Sequence, residues 1–344
     1  MRYDVPTVIA AALVVAVTVT FVFGGATSAA AFNAFNPNWD GTSELRSIAD
    51  DEGAEPIIVR NTTEYDDYGD GDVAFVLAPE SAYSGADSQR IRRFVENGGT
   101  LVVADRNNSH GAALLDSVGA TARPVGPTLR DERENYRNPA MPVANDVGNH
   151  SLVENVSALT LNHGTAVAPN GATVLVASSE YSYLDRDGSA SLGADETVQS
   201  YPVATVESVG QGRVIVVGDP SVFINVMQGQ AGNEAFTRAL VADANHTLVD
   251  VSQSSLPPLV AAVLTIRDSA LLQVGIGLGG LAAVALTGRR LRNRRTRDPE
   301  TPSATDASAL TAGLKQRYPA LESAPLEKVT TGVIRNPDER DDNE

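Results

Sequence analysis

Two apolar segments without a charged residue bracket the central part of this chain, at residues 6–23 and 269–288. At ~1.5 Å per residue, a helix over either segment approaches the ~30 Å thickness of a membrane's hydrocarbon core. Six arginines at residues 289–297 follow the second segment directly, and such arginines mark the cytoplasmic side of a membrane. The sequence therefore predicts two transmembrane helices in the cell membrane. Residues 1–5 and 289–344 would be cytoplasmic, and the central part would lie outside the cell.

The first apolar segment has two interpretations. Arg2, the apolar run and the small residues at 26–31 resemble a secretory signal peptide. The run is longer than the usual apolar region of such a peptide, which favours a signal anchor that stays in the protein. Residues 252–268 are then a juxtamembrane linker. The tail at 289–344 begins as a basic stop-transfer segment and is predicted to be disordered beyond it.

The charge of the central part restricts its partners. The net charge of the chain is −17, and residues 24–268 carry 32 Asp and Glu against 14 Arg and no Lys. A carboxylate-rich surface that lacks lysine keeps a protein hydrated in concentrated salt, so we expect a halophilic, archaeal source. An ordinary acidic surface is the alternative. Either surface argues against nucleic acid as a partner, because phosphate binding requires clustered Lys and Arg.

The chain has no cysteine, so disulfides, zinc–thiolate sites and a cysteine nucleophile are excluded. A domain of roughly 220 residues, as predicted below for 33–251, is large enough to form a core without such cross-links. Five N-x-[ST] sequons, all between the apolar segments, predict a glycoprotein. Their asparagines are Asn61, Asn107, Asn149, Asn155 and Asn245.

Short apolar strands alternate with helices in the first half of the central part. Strands are predicted at 56–60, 72–77 and 100–104, helices at 43–51, 88–97 and 111–118, and an acidic loop at 64–72. In the second half, strands are predicted at 158–162, 172–177, 201–206 and 213–218, with a hairpin turn at 210–212 and a closing helix at 233–244. The pattern predicts one extracytoplasmic α/β domain at 33–251, with a helix-covered parallel sheet that ends in antiparallel C-terminal strands.

In open α/β sheets, ligands bind beyond the carboxyl ends of the strands. Asp105 and Asp219 directly follow apolar strands, and two carboxylates that face one crevice can handle a proton or a cation. Alternatively, each caps the next helix or turn. Ser109 and His110 do not complete a catalytic triad with Asp105, because adjacent side chains do not face each other. The candidate ligand-binding residues are Glu80, Asp105, Arg106, Asn107, Asp219, Ser221 and Asn225.

A 12-residue acidic segment, 185–196, has the ligand spacing of an EF-hand calcium loop. Ala190 departs from the motif because it stands where glycine makes the sharp turn, and flanking helices are not evident. A calcium site and a merely acidic loop are both open interpretations. The oxygen ligands to calcium would come from Asp185, Asp187, Ser189, the Ser191 carbonyl and Glu196.

Four stretches carry a family resemblance: NPNWDGTSELR, RRFVENGGTLVVAD, SYLDRDGSASLGADE and YPVATVESVGQGRVIVVGDPSVFIN. Over residues 36–244 they resemble a family of haloarchaeal membrane-anchored proteins defined only as a domain of unknown function. The resemblance implies a three-layer, flavodoxin-like or amidotransferase-like fold, similar to class I glutamine amidotransferase-like domains and to auxiliary subunits of gliding-motility ABC transporters. The amidotransferase cysteine has no counterpart, since Asp105, Arg106 and Asn107 occupy a comparable turn. The resemblance therefore implies a scaffold and not that reaction.

Members of such families often accompany a MoxR-type ATPase and a von Willebrand-related membrane protein. Together with the resemblance, the sequence predicts a non-catalytic, membrane-anchored binding or scaffold protein that is accessory to a transporter or to such an ATPase. Two alternatives are an envelope hydrolase that uses carboxylates at the carboxyl edge of the sheet, and a surface domain stabilised by calcium.

Overall fold

The computed structural model describes residues 30–106, 109–230, 232–254, 262, 265–267, 269–295, 312–313 and 316–317. The chain divides into two compact units, Met1–Thr265 and Ile266–Glu344. The predicted first transmembrane helix at 6–23 lies outside the described residues, as do most of the linker at 252–268 and most of the tail.

The first unit contains strands, short 3-10 helices and α-helices. Its strands are β1 (Glu55–Val59), β2 (Asp72–Leu77), β3 (Thr100–Ala104), β4 (Arg123–Asp131), β5 (Val143–Ala144), β6 (Asp146–Val147), β7 (Leu159–Thr160), β8 (Thr165–Ala168), β9 (Thr173–Ala177), β10 (Ser182–Asp185), β11 (Pro202–Val209), β12 (Gly212–Val217) and β13 (His246–Asp250). Its α-helices are α1 (Ser43–Asp51), α2 (Gly85–Glu96), α3 (Ser109–Val118), α4 (Asn225–Gln228) and α5 (Asn233–Val241), and its 3-10 helices are Thr62–Asp67, Ser151–Val153 and Pro220–Phe223.

The large sheet has eight strands in the order β1-β13-β2-β3-β12-β11-β9-β6. The first five strands are parallel to their neighbours, and the pairs β12–β11, β11–β9 and β9–β6 are antiparallel. A smaller antiparallel sheet has the order β10-β4-β8, and β5 pairs with β7. The fold is therefore mixed α/β, with a parallel half and an antiparallel half in one sheet.

Helices cover both faces of the parallel half, because alternate side chains of its strands enter two different cores. In β2, Val73, Phe75 and Leu77 belong to one core, while Ala74 and Val76 belong to the other. All six residues of β2 are buried, as expected for a strand between two helical layers. Burial of each large apolar side chain contributes about 1.5–3 kcal/mol to folding.

The helices divide between these two cores according to their apolar faces. Leu45 of α1 and Phe236 of α5 lie in the first core. Ile91 and Phe94 of α2 and Leu114 of α3 lie in the second. The sheet therefore has α1 and α5 on one face, and α2 and α3 on the other.

The predicted strands and helices of the first unit are found with boundary shifts of a few residues. The turn at Gly210 and Gln211 joins β11 to β12, with Val209 paired to Gly212, and this confirms the predicted hairpin. The predicted acidic loop at 64–72 is wrong in part, because a 3-10 helix, Thr62–Asp67, begins there. The Asn61 side chain and the Glu64 side chain form a capping box that stabilises its first turn.

Strand β13 was not predicted from the sequence. It is the last strand of the first unit, yet it is parallel to its neighbours and lies between β1 and β2. The expected antiparallel C-terminal end of the sheet is therefore correct for β9 and β11 and wrong for the final strand. His246 and Asp250 at its two ends leave only Leu248 and Val249 as large apolar residues, so its apolar run is too short to indicate a strand.

In the second unit, helix α6 (Ala270–Arg295) covers the predicted second transmembrane segment. Several of its large apolar side chains are exposed: Leu271, Leu272, Val274, Ile276, Leu278 and Val284. Among the residues that the structure describes, no helix combines the length and the apolar character needed to cross a membrane.

Candidate functional site

The connections that follow β3 and β12 run along opposite faces of the sheet. The chain leaves β3 into α3 on one face, and it leaves β12 toward the 3-10 helix Pro220–Phe223 and α5 on the other. Because β3 and β12 are adjacent parallel strands, this is a topological switch point, where a crevice forms at the carboxyl ends of the strands. The candidate site is defined by the residues that follow these two strands.

Asp105 and Asp219 follow adjacent strands, as the sequence predicted. Asp105 is 2% exposed and Asp219 is fully buried. Two glycines make this close packing possible. A Cβ atom on Gly111 would lie 2.2 Å from Asp105 Oδ2, and one on Gly164 would lie 2.7 Å from Asp219 Cβ. At both positions, a residue with a Cβ atom would have to displace these neighbouring side chains.

Both carboxylate oxygens of Asp219 accept backbone hydrogen bonds. The Ser221 N–H donates to Oδ1 at 2.8 Å and caps the 3-10 helix Pro220–Phe223, and the Asn162 N–H donates to Oδ2. Burial raises the pKa of Asp219 from 3.8 to about 6, against the opposing effect of these hydrogen bonds and of the Arg106 charge. Asp219 therefore does what the capping interpretation predicted, and it is poorly placed to contact a substrate.

One histidine and two arginines lie close enough to one another near Asp219 to interact electrostatically. His163 is exposed and adopts a left-handed backbone conformation, with φ of 57°. Partial burial of its ring and the charges of Arg106 and Arg130 lower its pKa from the ordinary value. Arg106 is half-buried and makes no ion pair with a residue in the described part of the chain. Arg130 is paired with Asp185 at 2.7 Å. Of these two guanidinium groups, Arg130 is held in an ion pair with a described residue and Arg106 is not.

The other predicted ligand-binding residues have different surroundings. Glu80 is exposed, and its backbone N–H donates to the Gln253 carbonyl oxygen at 3.2 Å. Ser221 is buried beside Asp219. Asn107 lies outside the described residues. Among the candidates that the structure describes, Asp105, Arg106, Asp219 and Ser221 lie together at the switch point.

Asn225 holds the N-terminal turn of the domain against α4. Its Nδ2 donates to the carbonyl oxygens of Asn36 and Asn38 and to Ser43 Oγ, at 3.2, 2.6 and 3.1 Å. Its Oδ1 accepts the Glu44 N–H at 2.8 Å. Since the Thr42 side chain makes no capping hydrogen bond, Asn225 supplies the cap of α1 from far along the chain. The whole amide is engaged in this structural role.

A second polar cluster at the same edge of the sheet was missed by the sequence analysis. Asp250, at the end of β13, accepts hydrogen bonds from the Tyr65 and Tyr83 hydroxyls at 2.9 and 3.1 Å and from the Ser252 N–H at 2.7 Å. Burial raises the pKa of Asp250 and raises that of both tyrosines well above the ordinary value. Asp105 and Asp219 were found because each follows a predicted apolar strand. Asp250 ends β13, whose apolar run is too short to predict a strand, so this signal was absent.

The acidic loop begins at the end of β10, in the small sheet. The carboxylate oxygens of Asp185, Asp187 and Glu196 lie within 4.8 Å of one another. In the sequence, Ser189 and Ser191 lie between Asp187 and Glu196. The Ser189 hydroxyl donates to the Ser191 carbonyl oxygen at 2.9 Å. The structure therefore brings together three of the five predicted metal-ligating residues, Asp185, Asp187 and Glu196.

A cavity of about 470 Å³ lies at the opposite, amino edge of the parallel strands. Several of its polar groups bond to their neighbours. Arg213 Nε donates to Thr100 Oγ1 at 2.9 Å, and Asp72 Oδ1 lies 2.7 Å from His246 Nδ1. Of its charged groups, Asp72 is paired with His246, while Arg213 bonds to a neutral hydroxyl.

Four of the five sequon asparagines, Asn61, Asn149, Asn155 and Asn245, are exposed. Asn107 lies outside the described residues. Exposure is required for glycosylation, and the prediction of N-glycans stays a prediction.

These features define an α/β domain with a polar crevice at the switch point of its sheet. The model of the DUF4350 family, a domain of unknown function, matches residues 34–241. This range is more than half of the chain, so the protein belongs to the DUF4350 family. No curated protein matches the chain.

Several solved structures match part of the chain at low similarity. The mmIFT52 N-terminal domain is 14% identical, with 48% of this chain and 72% of that chain covered and a TM-score of 0.36. A beta-galactosidase from Bacillus circulans sp. alkalophilus is 15% identical, with coverages of 59% and 26% and a TM-score of 0.31. Gan42B, a GH42 beta-galactosidase from G. stearothermophilus, is 16% identical, with coverages of 61% and 26% and a TM-score of 0.32. Such low scores carry no argument about function.

Proposed function

We propose that this protein is a non-catalytic binding domain that acts outside the cell as an accessory to a transporter or to a MoxR-type ATPase system. The observation that supports it best is the division of roles at the switch point. Both oxygens of Asp219 serve backbone N–H groups, whereas Arg106 makes no ion pair with a described residue. The group available to bind a ligand or partner in this crevice is therefore a cation.

A guanidinium group in this position favours an anionic group of a ligand or a partner. Arg106 lies in a segment, 24–268, whose formal charge is 14 − 32 = −18. The surrounding field repels most anions, so recognition would depend on the local positive charge of Arg106 and on hydrogen bonds from its planar fork to a carboxylate or phosphate. His163 is close enough to Arg106 for the guanidinium charge to lower the pKa of its imidazole.

The location belongs to the same proposal. The uncharged segments at 6–23 and 269–288 and the arginines at 289–297 support two membrane anchors around an extracytoplasmic domain. The acidic, lysine-poor composition supports a halophilic, archaeal source. The resemblance to class I amidotransferase-like domains and to auxiliary transporter subunits supports a flavodoxin-like or amidotransferase-like scaffold that has lost or never had that chemistry.

Affinity purification of the tagged full chain from native membranes, with mass spectrometry, tests the accessory role. The wild type is compared with Arg106→Gln and with the matched control Arg92→Gln, an exposed arginine paired with Glu96 on α2. We expect a transporter or ATPase subunit to be recovered with the wild type and the control, and at least tenfold less of it with Arg106→Gln. Absence of a reproducible partner, or equal recovery with all three, would contradict the proposal. Membrane fractionation after an alkaline wash tests the anchors separately.

An envelope hydrolase is the second candidate, and the pKa of about 6 for Asp219 is the observation that favours it. A carboxylic acid with a raised pKa suits general acid catalysis, with Asp105 as the second carboxylate. Asp105→Asn and Asp219→Asn distinguish the two functions. A hydrolase would lose activity on envelope glycan or peptide while still folding, whereas a binding domain would retain its partner.

A further inference from the structure

The acidic loop Asp185 to Glu196 has a geometry that goes beyond the proposed binding function. Three carboxylates converge there, with oxygen atoms within 4.8 Å of one another. Two oxygens that bind the same Ca²⁺ ion at 2.3–2.6 Å can be no more than roughly 5 Å apart. We propose that this loop binds one Ca²⁺ ion through Asp185, Asp187 and Glu196.

A buried oxygen without a partner gives independent support. Asp185 is 6% exposed, and its Oδ1 has no hydrogen-bond partner among the described residues. Its Oδ2 accepts hydrogen bonds from Arg130 Nε at 2.7 Å and from the Ala190 N–H at 3.2 Å. A carboxylate oxygen that is removed from water and left unpaired is strongly unfavourable. A cation bound in the cluster would satisfy it.

The backbone of the loop resolves the departure from the calcium motif. Ala190, at the position where glycine is expected, has φ of 61°, and Gly188 has φ of 70°. The Ala190 N–H donates to the Asp185 carboxylate, and the Ser189 N–H donates to Asp187 Oδ1 at 2.9 Å. The chain therefore adopts the left-handed conformation at position 190 without a glycine there, at a small cost in backbone strain.

The remaining ligands are compatible with this ion. Glu196 Oε1 accepts the Arg186 N–H at 2.7 Å, and Oε2 accepts the Gly193 N–H at 2.9 Å. Each carboxylate oxygen has two lone pairs, so these hydrogen bonds position Glu196 and leave it able to coordinate.

The chemistry of the cluster favours Ca²⁺ over other metal ions. All donors are oxygen atoms, with no imidazole or thiolate among the converging groups. The three carboxylates and the guanidinium of Arg130 have a formal charge of −3 + 1 = −2, which a divalent cation neutralises. Mg²⁺ requires a near-ideal octahedron and keeps its water, whereas an irregular loop of carboxylate and carbonyl oxygens suits Ca²⁺.

The test is calorimetric titration of the full chain with CaCl2 in concentrated KCl, which screens weak cation binding by the acidic surface. Wild type is compared with Glu196→Gln and Asp187→Asn, and with the matched control Asp195→Asn, an exposed acid of the same loop outside the cluster. We expect one Ca²⁺ per chain for the wild type and the control, and at least tenfold weaker binding for both cluster variants. MgCl2 should bind more weakly than CaCl2.

Two results would overturn the proposal. One is the absence of saturable Ca²⁺ binding by the wild type. The other is equal Ca²⁺ affinity in all four proteins, which would show diffuse binding by surface acids. Because Asp187 is exposed, its variant is expected to fold even if Glu196→Gln does not. Circular dichroism of each variant verifies the fold before titration.

Discussion

The buried carboxylate of Asp219 makes the stability of the protein depend on pH in a direction that can be worked out. Its pKa is raised from 3.8 to about 6 in the folded protein, with burial as the main cause. Below pH 3.8 the group is protonated in both the folded and unfolded states. As the pH rises through 6, the unfolded chain has already ionised at no cost, and the folded protein must ionise a carboxylate that is shielded from water. Asp219 therefore favours folding at low pH, and this contribution is lost toward neutral pH.

The magnitude follows from the two pKa values. At about 1.36 kcal/mol per pKa unit, the full loss is about 3 kcal/mol, of which about 2 kcal/mol falls between roughly pH 4.5 and pH 7.5. A natural domain is stable by about 5–15 kcal/mol, so this change is large enough to measure.

The assay is urea denaturation of the full chain and of Asp219→Asn at several pH values across this range. The asparagine variant does not titrate, and its altered hydrogen bonds to the Ser221 and Asn162 N–H groups change stability by an amount independent of pH. We expect the stability of the variant, relative to the wild type, to rise by about 2 kcal/mol from the acidic to the neutral end. Asp195→Asn, which removes an exposed carboxylate, controls for the loss of one negative charge. A difference that is flat or falls with pH would refute the reasoning.

Three further predictions concern the stability of the first unit, each measured by urea denaturation at neutral pH. Tyr65→Phe removes one of two phenol donors to the buried Asp250 carboxylate and should cost about 2 kcal/mol, whereas the same change at exposed Tyr181 should cost little. Asn225→Ala removes the cap of α1 and three donor contacts and should lower the free energy of unfolding by about 2–3 kcal/mol. A decrease under about 0.5 kcal/mol would contradict the structural role of Asn225. Gly232→Ala should cost at least about 3 kcal/mol, because φ is 90° and the added Cβ would lie 1.8 Å from the Ala158 carbonyl oxygen. Gly229→Ala, with φ of −69° and nothing within 4 Å, is its control.

Much of the fold could be predicted from local patterns, since strand and helix types follow from periodic burial along the chain. After their first one or two residues, β2, β3 and β12 are apolar because helices cover both of their faces, and α2 has one apolar stripe because it covers only one. β13 was missed because it has few apolar residues of its own. Its stability as a strand comes from backbone pairing to β1 and β2 on both sides, which no local pattern records.

The candidate site could be predicted only as a set of residue types at strand ends. That Asp105 and Asp219 follow neighbouring strands could be anticipated, because parallel strands end at the same edge. The commitment of Asp219 to two backbone N–H groups could not, since one of them, from Asn162, belongs to a distant loop. Asn225 is a similar case, because its partners lie about 180 to 190 positions away along the chain.

The sequence by itself determined the absence of cysteine chemistry and the acidic character of the central part. It also determined which residues form most strands and helices, and the ligand spacing of the acidic loop. All of these depend on composition or on residues close together in the chain. Only the tertiary structure decided the order of the sheet, the switch point, the buried Asp250 cluster and the unpaired oxygen of Asp185. Each of these depends on which distant segments exclude water from a given group, and that exclusion exists only once the chain has folded.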